Sequence, residues 1–200
     1  MNLTWLNKKN NKKLIIFFNG WGMDNSVIKH LNPTSFDVLS ICDYNELCEL
    51  PDLSEYSEKF VIAWSMGVMV ATLYNIGQKS STAINGTLHP IHIDYGINPK
   101  VYKLMELGFN ELSAPKFISK MFSGTIPELQ LTRTPESQKS ELTALKNYKA
   151  NIDYKYNRVI VSDNDNIIPT QSQINFWGNP EIIKNGHCPF FDYTNWEELL

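Results

Sequence analysis

At residues 59–67 the chain reads Lys59-Phe60-Val61-Ile62-Ala63-Trp64-Ser65-Met66-Gly67, an apolar run that leads into a serine. The run is typical of a buried strand, and the serine lies where that strand should turn into a helix. Ala63 and Gly67 stand two residues before and after it, because larger side chains would clash with the neighbouring strand and helix in so tight a turn. In such a nucleophile elbow the serine adopts a strained backbone and its hydroxyl projects outward. We therefore interpret Ser65 as a candidate nucleophile.

An acidic residue follows a later strand of the same kind. Residues 158–162 form a β-branched run that leads into Asp163-Asn164-Asp165. Asp165, four residues before Pro169, best fits the place of a carboxylate that orients a histidine, just past the end of a strand. Asp163 is the alternative, and its other role would be to cap the turn through side-chain hydrogen bonds. We favour Asp165 and keep Asp163 open.

A histidine completes the series near the end of the sequence. His187 follows a short predicted strand and Gly186, and it comes after both the serine and the acid. Serine, acid and histidine in this order are typical of the triad of an α/β-hydrolase. In that interpretation His187 takes the Ser65 proton, the carboxylate fixes the imidazole, and Ser65 forms an acyl-enzyme. The remaining histidines fit less well, because they precede the elbow or lie between elbow and acid: His30, His89 and His92.

Backbone donors for an oxyanion are expected after the first buried strand. The apolar run at residues 14–18 ends in Asn19-Gly20-Trp21-Gly22. In an α/β-hydrolase the loop after this strand gives one N–H group, and the residue after the nucleophile gives the other. We therefore predict an oxyanion hole formed by the N–H groups of Trp21 and Met66. The flanking glycines let the Trp21 amide face the site, and its ring is predicted to pack against the substrate.

Apolar strands alternate along the chain with helical segments. This pattern predicts an α/β fold with a mostly parallel sheet and helices on both faces. Strands are expected at residues 14–18, 37–41, 59–63, 81–85, 158–162 and 181–184, with an edge strand at 2–6. Helices are expected after Asp24, after Ser65 and at residues 196–200. Residues 1–200 should form one compact α/β-hydrolase domain.

Residues 97–150 break this alternation, because their apolar side chains recur at helical spacing between proline and glycine breaks. We interpret them as a helical lid inserted into the domain. Phe117, Met121 and Phe122 are candidate linings of a substrate slot, although the same spacing is typical of core residues. The insert carries eight Lys or Arg and five acidic residues, a net charge of +3 in a chain of −3. Such a charge suits either a solvated helical face or a surface for an acidic partner.

Composition argues against several classes of protein. A net charge of −3 without a basic cluster argues against nucleic-acid binding. No apolar stretch approaches the about 18 residues of a membrane span, and the first residues do not resemble a signal peptide. Three cysteines without C-x-x-C spacing favour reduced thiols and a cytoplasmic location. We expect no metal, no cofactor and a monomer, and we interpret Cys188, whose side chain should point away from that of His187, as a packing residue.

Several motifs of this chain occur together in one family. They are the strand and loop at residues 14–24, the elbow at 64–67, the stretches 84–87 and 95–97, and Gly186-His187-Cys188-Pro189. In combination the chain resembles the BioG-type pimeloyl-[acyl-carrier-protein] methyl ester esterases of biotin synthesis. The resemblance implies hydrolysis of the methyl ester of pimeloyl-carrier protein. It also implies that Ser65 is the nucleophile, His187 the base, and Trp21 and Met66 the oxyanion donors.

The resemblance further implies an acyl carrier protein as partner. Because that partner is acidic, basic side chains of the insert are expected to guide its docking. The candidates are Lys116, Lys120, Arg133, Lys146 and Lys149. Two other functions stay open: a general short-chain esterase or thioesterase with the same triad, and a hydrolase-like binding protein without activity. Turnover of methyl ester against thioester separates the hydrolases, and replacement of Ser65 separates an enzyme from a binding protein.

Overall fold

Seven strands form one sheet in the computed structural model, which describes residues 1–124 and 126–200. They are β1 (Asn2–Asn7), β2 (Lys13–Phe18), β3 (Phe36–Cys42), β4 (Glu58–Trp64), β5 (Ser80–Ile84), β6 (Arg158–Ser162) and β7 (Glu181–Ile183). Their order across the sheet is β1-β3-β2-β4-β5-β6-β7. Only β1 is antiparallel to its neighbour, and the other pairs are parallel. The predicted mostly parallel sheet is confirmed, and every predicted strand overlaps an observed one.

The central strands are apolar along their length because both faces of the sheet are covered. In β2, Leu14, Ile16 and Phe18 point into one core, whereas Ile15 and Phe17 point into the other. All of these side chains are fully buried. Burial on two sides explains why the strand reads as a continuous apolar run rather than as an alternating one.

Helices cover both faces of the sheet, but they differ in type. The α-helices are α1 (Gly67–Ala71), α2 (Pro99–Gly108), α3 (Ala114–Lys120), α4 (Pro135–Leu145) and α5 (Thr170–Trp177). On one face, α1 and α4 bury Val68, Met69 and Leu142 in the core. The other face is covered by short 3-10 helices at Asn25–Val27, Phe190–Asp192 and Trp196–Leu199. The predicted helices on both faces are therefore present.

Two predicted helices are shorter and tighter than expected. The segment after Asp24 forms only the 3-10 helix Asn25–Val27, and the C-terminal segment forms the 3-10 helix Trp196–Leu199. In the latter, Trp196 and Leu199 are both buried, and a spacing of three residues matches one turn of a 3-10 helix. The sequence does not predict α5. In the structure its fully buried residue is the polar Gln173, and its aromatic residues Phe176 and Trp177 are only partly buried.

The insert between β5 and β6 contains α2, α3 and α4, all within residues 97–150. Each of these helices has a proline in its first turn, where the missing N–H group costs nothing. The side chains of Asn98 and Thr134 cap α2 and α4 by accepting hydrogen bonds from backbone N–H groups. The prolines at 115 and 135 that read as breaks in the sequence thus lie at helix starts.

Candidate active site

The elbow after β4 holds Ser65 in a left-handed conformation, with φ of 57°. Its N–H donates to the carbonyl of Ile84 at 2.9 Å, which fastens the turn to β5. A Cβ on Gly67 would come within 2.4 Å of the Phe18 carbonyl oxygen, so a larger residue cannot occupy that place without moving the backbone. A positive φ in a non-glycine residue is strained and persists only where the surroundings enforce it. The close approach of these backbones provides that enforcement.

His187 lies beside Ser65 on the loop that follows β7. Its Nε2 is 2.8 Å from Ser65 Oγ, and its Nδ1 is 2.7 Å from Asp165 Oδ2. The imidazole is 2% exposed. With its proton on Nδ1, directed at the carboxylate, Nε2 accepts the hydroxyl proton of the serine. The three side chains thus form a continuous hydrogen-bonded line of the kind that activates a serine nucleophile.

The two candidate acids have different surroundings. Asp165 is buried, and its Oδ1 accepts the N–H groups of Ile167 and Ile168 at 2.8 and 3.0 Å. Its Oδ2 accepts from Gln173 Nε2 at 2.8 Å in addition to His187. Asp163 is exposed and accepts instead from the N–H of Asn185 at 3.2 Å. The structure brings Asp165, and not Asp163, to the histidine.

Side chains that the sequence analysis did not select hold the histidine loop in place. Asn85 Nδ2 donates to the His187 carbonyl at 2.9 Å, and the indole N–H of Trp64 donates to the same oxygen at 2.7 Å. Asn85 Oδ1 also accepts the N–H of Ser162 at 2.7 Å, which joins the ends of β5 and β6. The sequence position of Asn85 could have indicated this role, because it is a polar residue directly after a buried strand. Gln173 carried no such signal, because amide side chains are common on helices.

The loop after β2 places its backbone directly against the serine. A Cβ on Gly20 would lie 2.9 Å from the Trp64 ring and 3.2 Å from Ser65 Cβ, so only glycine fits there. Within residues 1–124 and 126–200, the N–H groups of Trp21 and Met66 donate to no other protein atom. Unpaired N–H groups beside a nucleophile are suited to an oxyanion. Their role as the oxyanion hole remains a prediction.

Two neighbouring cavities lie near Ser65 and are separated by side chains that line both of them. A small cavity of about 10 Å³ adjoins the serine, and a wider groove of about 340 Å³ shares four lining residues with it: Ile97, Met105, Phe117 and Ile167. Trp21 and Met121 also line the small cavity. The shared side chains are apolar, and the small cavity is about the size of one water molecule. A substrate must therefore displace some of these side chains to reach Ser65.

Phe122 does not join this apolar lining. Its ring packs against Phe191, with 6.0 Å between ring centres, and it lies among the residues of the second core. Phe122 is thus not among the residues that line either cavity near Ser65, and its predicted role in substrate binding has no support from this geometry. The reason is its place in the chain: Met121, directly after the last residue of α3, lines the cavity, whereas Phe122 follows the helix and turns toward the second core.

The prediction that Arg133 is a docking residue is wrong. Its side chain is 6% exposed, its Nη2 lies 2.9 Å from Asp43 Oδ1, and its Nη1 pairs with Glu141. The charge is thus neutralised inside the protein by two carboxylates. No pattern in the sequence signals this arrangement, because Asp43 lies 90 residues away.

The other predicted docking lysines fall into two groups. Lys116 and Lys120 are exposed and line the groove that shares four lining residues with the cavity at Ser65. Lys146 and Lys149 border a separate groove, with residues such as Leu88, that shares no lining residue with the cavity at Ser65. Lys146 is moreover paired with Glu106. Of the two pairs, Lys116 and Lys120 are the one that lies at the groove next to the Ser65 cavity.

Cys188 is buried beside the histidine and has no role as a nucleophile in this arrangement. Burial raises the pKa of its thiol far above the usual range, so the reactive thiolate is not populated at neutral pH.

Among the described residues, no cluster of three His, Cys, Asp or Glu side chains could hold a metal ion. Within the same part of the chain, no helix is both long and apolar enough to cross a membrane.

Comparison with known proteins identifies the family. The family model described as pimeloyl-ACP methyl esterase BioG matches residues 1–199. The chain belongs to the BioG family. It is thus a member of a family of carboxylic ester hydrolases, as the sequence resemblance predicted. The crystal structure of BioG from Haemophilus influenzae superposes with a TM-score of 0.92 at 29% identity, covering 100% of this chain and 99% of that one.

Further relatives of this chain support the family and the fold. An uncharacterized protein from Haemophilus influenzae is 31% identical over 93% of both chains. A malonyl-[acyl-carrier protein] O-methyltransferase from Bacteroides fragilis is 33% identical over 83% of this chain, but the match spans only 36% of that protein, about a third of its length. An esterase from Exiguobacterium antarcticum, at 13% identity and a TM-score of 0.69 over 96% and 89% of the two chains, shows the shared α/β-hydrolase fold.

The different surroundings of Asp165 and Asp163 predict different effects of their replacement on kcat. Asp165→Asn should lower kcat by roughly 10⁴-fold, because an amide cannot hold the imidazole in the required tautomer. Asp163→Asn should leave kcat within about twofold, since that side chain is exposed and accepts from the Asn185 N–H group and not from the imidazole. Steady-state hydrolysis of p-nitrophenyl butyrate measures both. A larger loss in Asp163→Asn would show that the other carboxylate orients His187.

Proposed function

We propose that this protein hydrolyses the methyl ester of pimeloyl-[acyl-carrier protein] in biotin synthesis, through a Ser-His-Asp triad and an acyl-enzyme. The observation that carries the proposal is the hydrogen-bonded line from Ser65 through His187 to Asp165 at the carboxyl edge of the sheet. The match of the BioG family model to residues 1–199 supports the choice of ester.

The first half-reaction follows from the distances in the site. Ser65 Oγ attacks the ester carbonyl carbon while His187 Nε2, 2.8 Å away, takes its proton. The carbonyl oxygen becomes an oxyanion that accepts from the N–H groups of Trp21 and Met66. Asp165 stabilises the imidazolium without taking its proton. When the tetrahedral intermediate collapses, the C–O bond to the methoxy group breaks and the imidazolium protonates it, so methanol leaves and an acyl-enzyme remains.

The second half-reaction returns the enzyme to its starting state. Water gives a proton to His187 Nε2 and attacks the acyl carbon, and a second oxyanion forms in the same hole. Its collapse breaks the bond to Ser65 Oγ, which regains the proton. The product is the free carboxylate. The small apolar cavity suits this order of events, because methanol is a small leaving group and the groove beside Ser65 can hold the methylenes of the acyl chain.

The carrier protein is the proposed macromolecular partner, docked at the mouth of the groove. Lys116 and Lys120 line that groove and are exposed, and the described structure contains no ion pair for either of them. Two unpaired positive charges suit an acidic partner that carries the acyl chain. Phe117, between them in sequence, faces the cavity at Ser65. Helix α3 thereby connects the partner surface to the acyl groove.

We further propose a cytoplasmic, monomeric protein. The thiols of Cys42, Cys48 and Cys188 are all free, which agrees with a reducing compartment. The triad and the groove are built from residues of a single chain, so a second copy is not needed to complete the site.

The proposed reaction predicts the product of a defined assay. Incubation with methyl pimeloyl-carrier protein should convert the ester to the free acid, seen by mass spectrometry as the loss of one CH₂ from the carrier. Ser65→Ala should reduce the rate to the background, because the nucleophile of the first step is absent. Release of unloaded carrier protein, with the methyl ester intact, would instead identify a thioesterase. Absence of any turnover by the folded wild-type protein would indicate a binding protein.

The proposed docking surface predicts a charge effect that depends on salt. The double variant Lys116→Glu/Lys120→Glu should raise KM for the carrier-protein ester about 10-fold at low salt, because steering by these charges speeds association. The penalty should shrink at high ionic strength, where such charges are screened. Hydrolysis of p-nitrophenyl acetate should not change.

A matched control reverses two charges away from the groove. Lys149→Glu/Lys155→Glu changes net charge equally, and both side chains are exposed outside the residues that line the Ser65 groove. Its KM for the carrier-protein ester should stay within about twofold of wild type. Equal effects of the two double variants would show that overall charge, and not α3, determines the association.

A further inference from the structure

Helix α4 of the insert is hydrogen-bonded to the loop that carries the predicted oxyanion donor. This loop, residues 19–23 between β2 and the first 3-10 helix, is here called the oxyanion loop. Its Gly22 N–H donates to Glu141 Oε2 at 3.0 Å, and its Gly22 carbonyl accepts from Gln138 Nε2 at 2.7 Å. The indole N–H of Trp21 donates to the Gln138 carbonyl at 2.7 Å. Two residues of one helix thus hold the loop at three atoms.

Glu141 is an unusual residue to find in this place, because its side chain is completely buried. Its Oε1 accepts the N–H of Tyr44 at 2.8 Å, so the carboxylate joins the loops that follow β2 and β3. Arg133 pairs with Oε2 and is itself held by Asp43. Burial raises the pKa of Glu141, and Arg133 and the two backbone donors oppose that rise. A buried carboxylate with this many partners is costly to disturb.

The bonds to Gly22 determine where the Trp21 N–H points. The Met23 N–H donates to the Gly20 carbonyl at 3.3 Å, and Gly22 has φ of 73°, which is the pattern of a type II turn. The Gly20–Trp21 peptide is trans, so its N–H points opposite to the Gly20 carbonyl that closes the turn. Fixing Gly22 from both sides keeps this turn in one conformation. The free Trp21 N–H is thereby left facing away from the turn.

We propose that Glu141, assisted by Gln138, is a positioning residue that preorganises the oxyanion hole by fixing the Gly22 backbone. It acts through Trp21 and does not touch the substrate. The inference rests on the proposed esterase chemistry of Ser65. Preorganised donors stabilise a transition state because they need not be reoriented as charge develops. The insert therefore contributes to the chemical step as well as to the wall of the groove.

The test compares variants of α4 with a small ester that does not depend on carrier-protein docking. Glu141→Gln preserves the shape of the side chain. It replaces one carboxylate oxygen with an NH₂ group, which cannot accept the hydrogen bond of a backbone N–H group. It should lower kcat for p-nitrophenyl butyrate about 10- to 100-fold. This loss is no larger than the loss of about 10²–10³-fold that follows complete removal of an oxyanion donor, because the donor here is only misplaced. KM should stay within about twofold. The matched control Glu136→Gln, an exposed acid on the same helix, should keep both constants at the wild-type values.

A second readout separates positioning from a loss of folded protein. A trifluoromethyl ketone adds to Ser65 and forms an oxyanion like that of the reaction, so its Ki should weaken in parallel with kcat. Active sites are counted by the p-nitrophenolate released on complete phosphylation with paraoxon, and kcat is expressed per counted site. A merely structural role for Glu141 would lower the number of sites and leave the Ki of the remaining sites unchanged. That result would overturn the inference.

A second variant tests the same inference if Glu141→Gln does not fold. Gln138→Met removes only the bond to the Gly22 carbonyl and should lower kcat per site about 3- to 10-fold with a matching change in Ki. Unchanged kcat and Ki in folded Gln138→Met or Glu141→Gln would overturn the inference while wild-type hydrolysis still supports the esterase. Absence of hydrolysis by the wild-type protein would overturn the proposed function and this inference with it.

Discussion

The contact of Gly67 with the backbone carbonyls of Phe18 and Asn19 is the constraint on which the rest of the site depends. A Cβ at Gly67 would lie 2.4 and 2.5 Å from these two oxygens. The start of α1 therefore packs directly on the end of β2. This packing forces the tight turn that holds Ser65 at a positive φ and brings the oxyanion loop next to the nucleophile.

The same close packing continues on the other side of the elbow. A Cβ on Gly86 would lie 2.4 Å from the Ser65 carbonyl oxygen, so β5 also ends directly against the turn. Asn85, the residue before it, carries the bonds that fix the His187 loop. The ends of the strands thus hold both Ser65 and the loop of His187. The insert supplies the remaining support through Glu141 and Gln138, which hold the oxyanion loop from the opposite side.

Most of the sheet could be predicted from the sequence, because buried parallel strands read as short apolar runs between turn residues. The order of Ser65, Asp165 and His187 could be predicted for the same reason, since each follows the end of a strand. The two ion pairs of Arg133 could not be predicted, because Asp43 and Glu141 come close to it only in the folded chain. Helix α5 could not be predicted either, since its buried residue is the polar Gln173.

We propose that the elbow makes Ser65 the nucleophile of this protein. The most direct measurement is covalent labelling with a fluorophosphonate, followed by peptide mapping of the folded protein. We expect one adduct per chain, on Ser65, because among the described residues only this serine has its hydroxyl 2.8 Å from an imidazole nitrogen that is itself bonded to a buried carboxylate. Asp165→Asn should slow the labelling without moving it to another residue. An adduct on a different side chain, or none on a folded protein, would contradict the account.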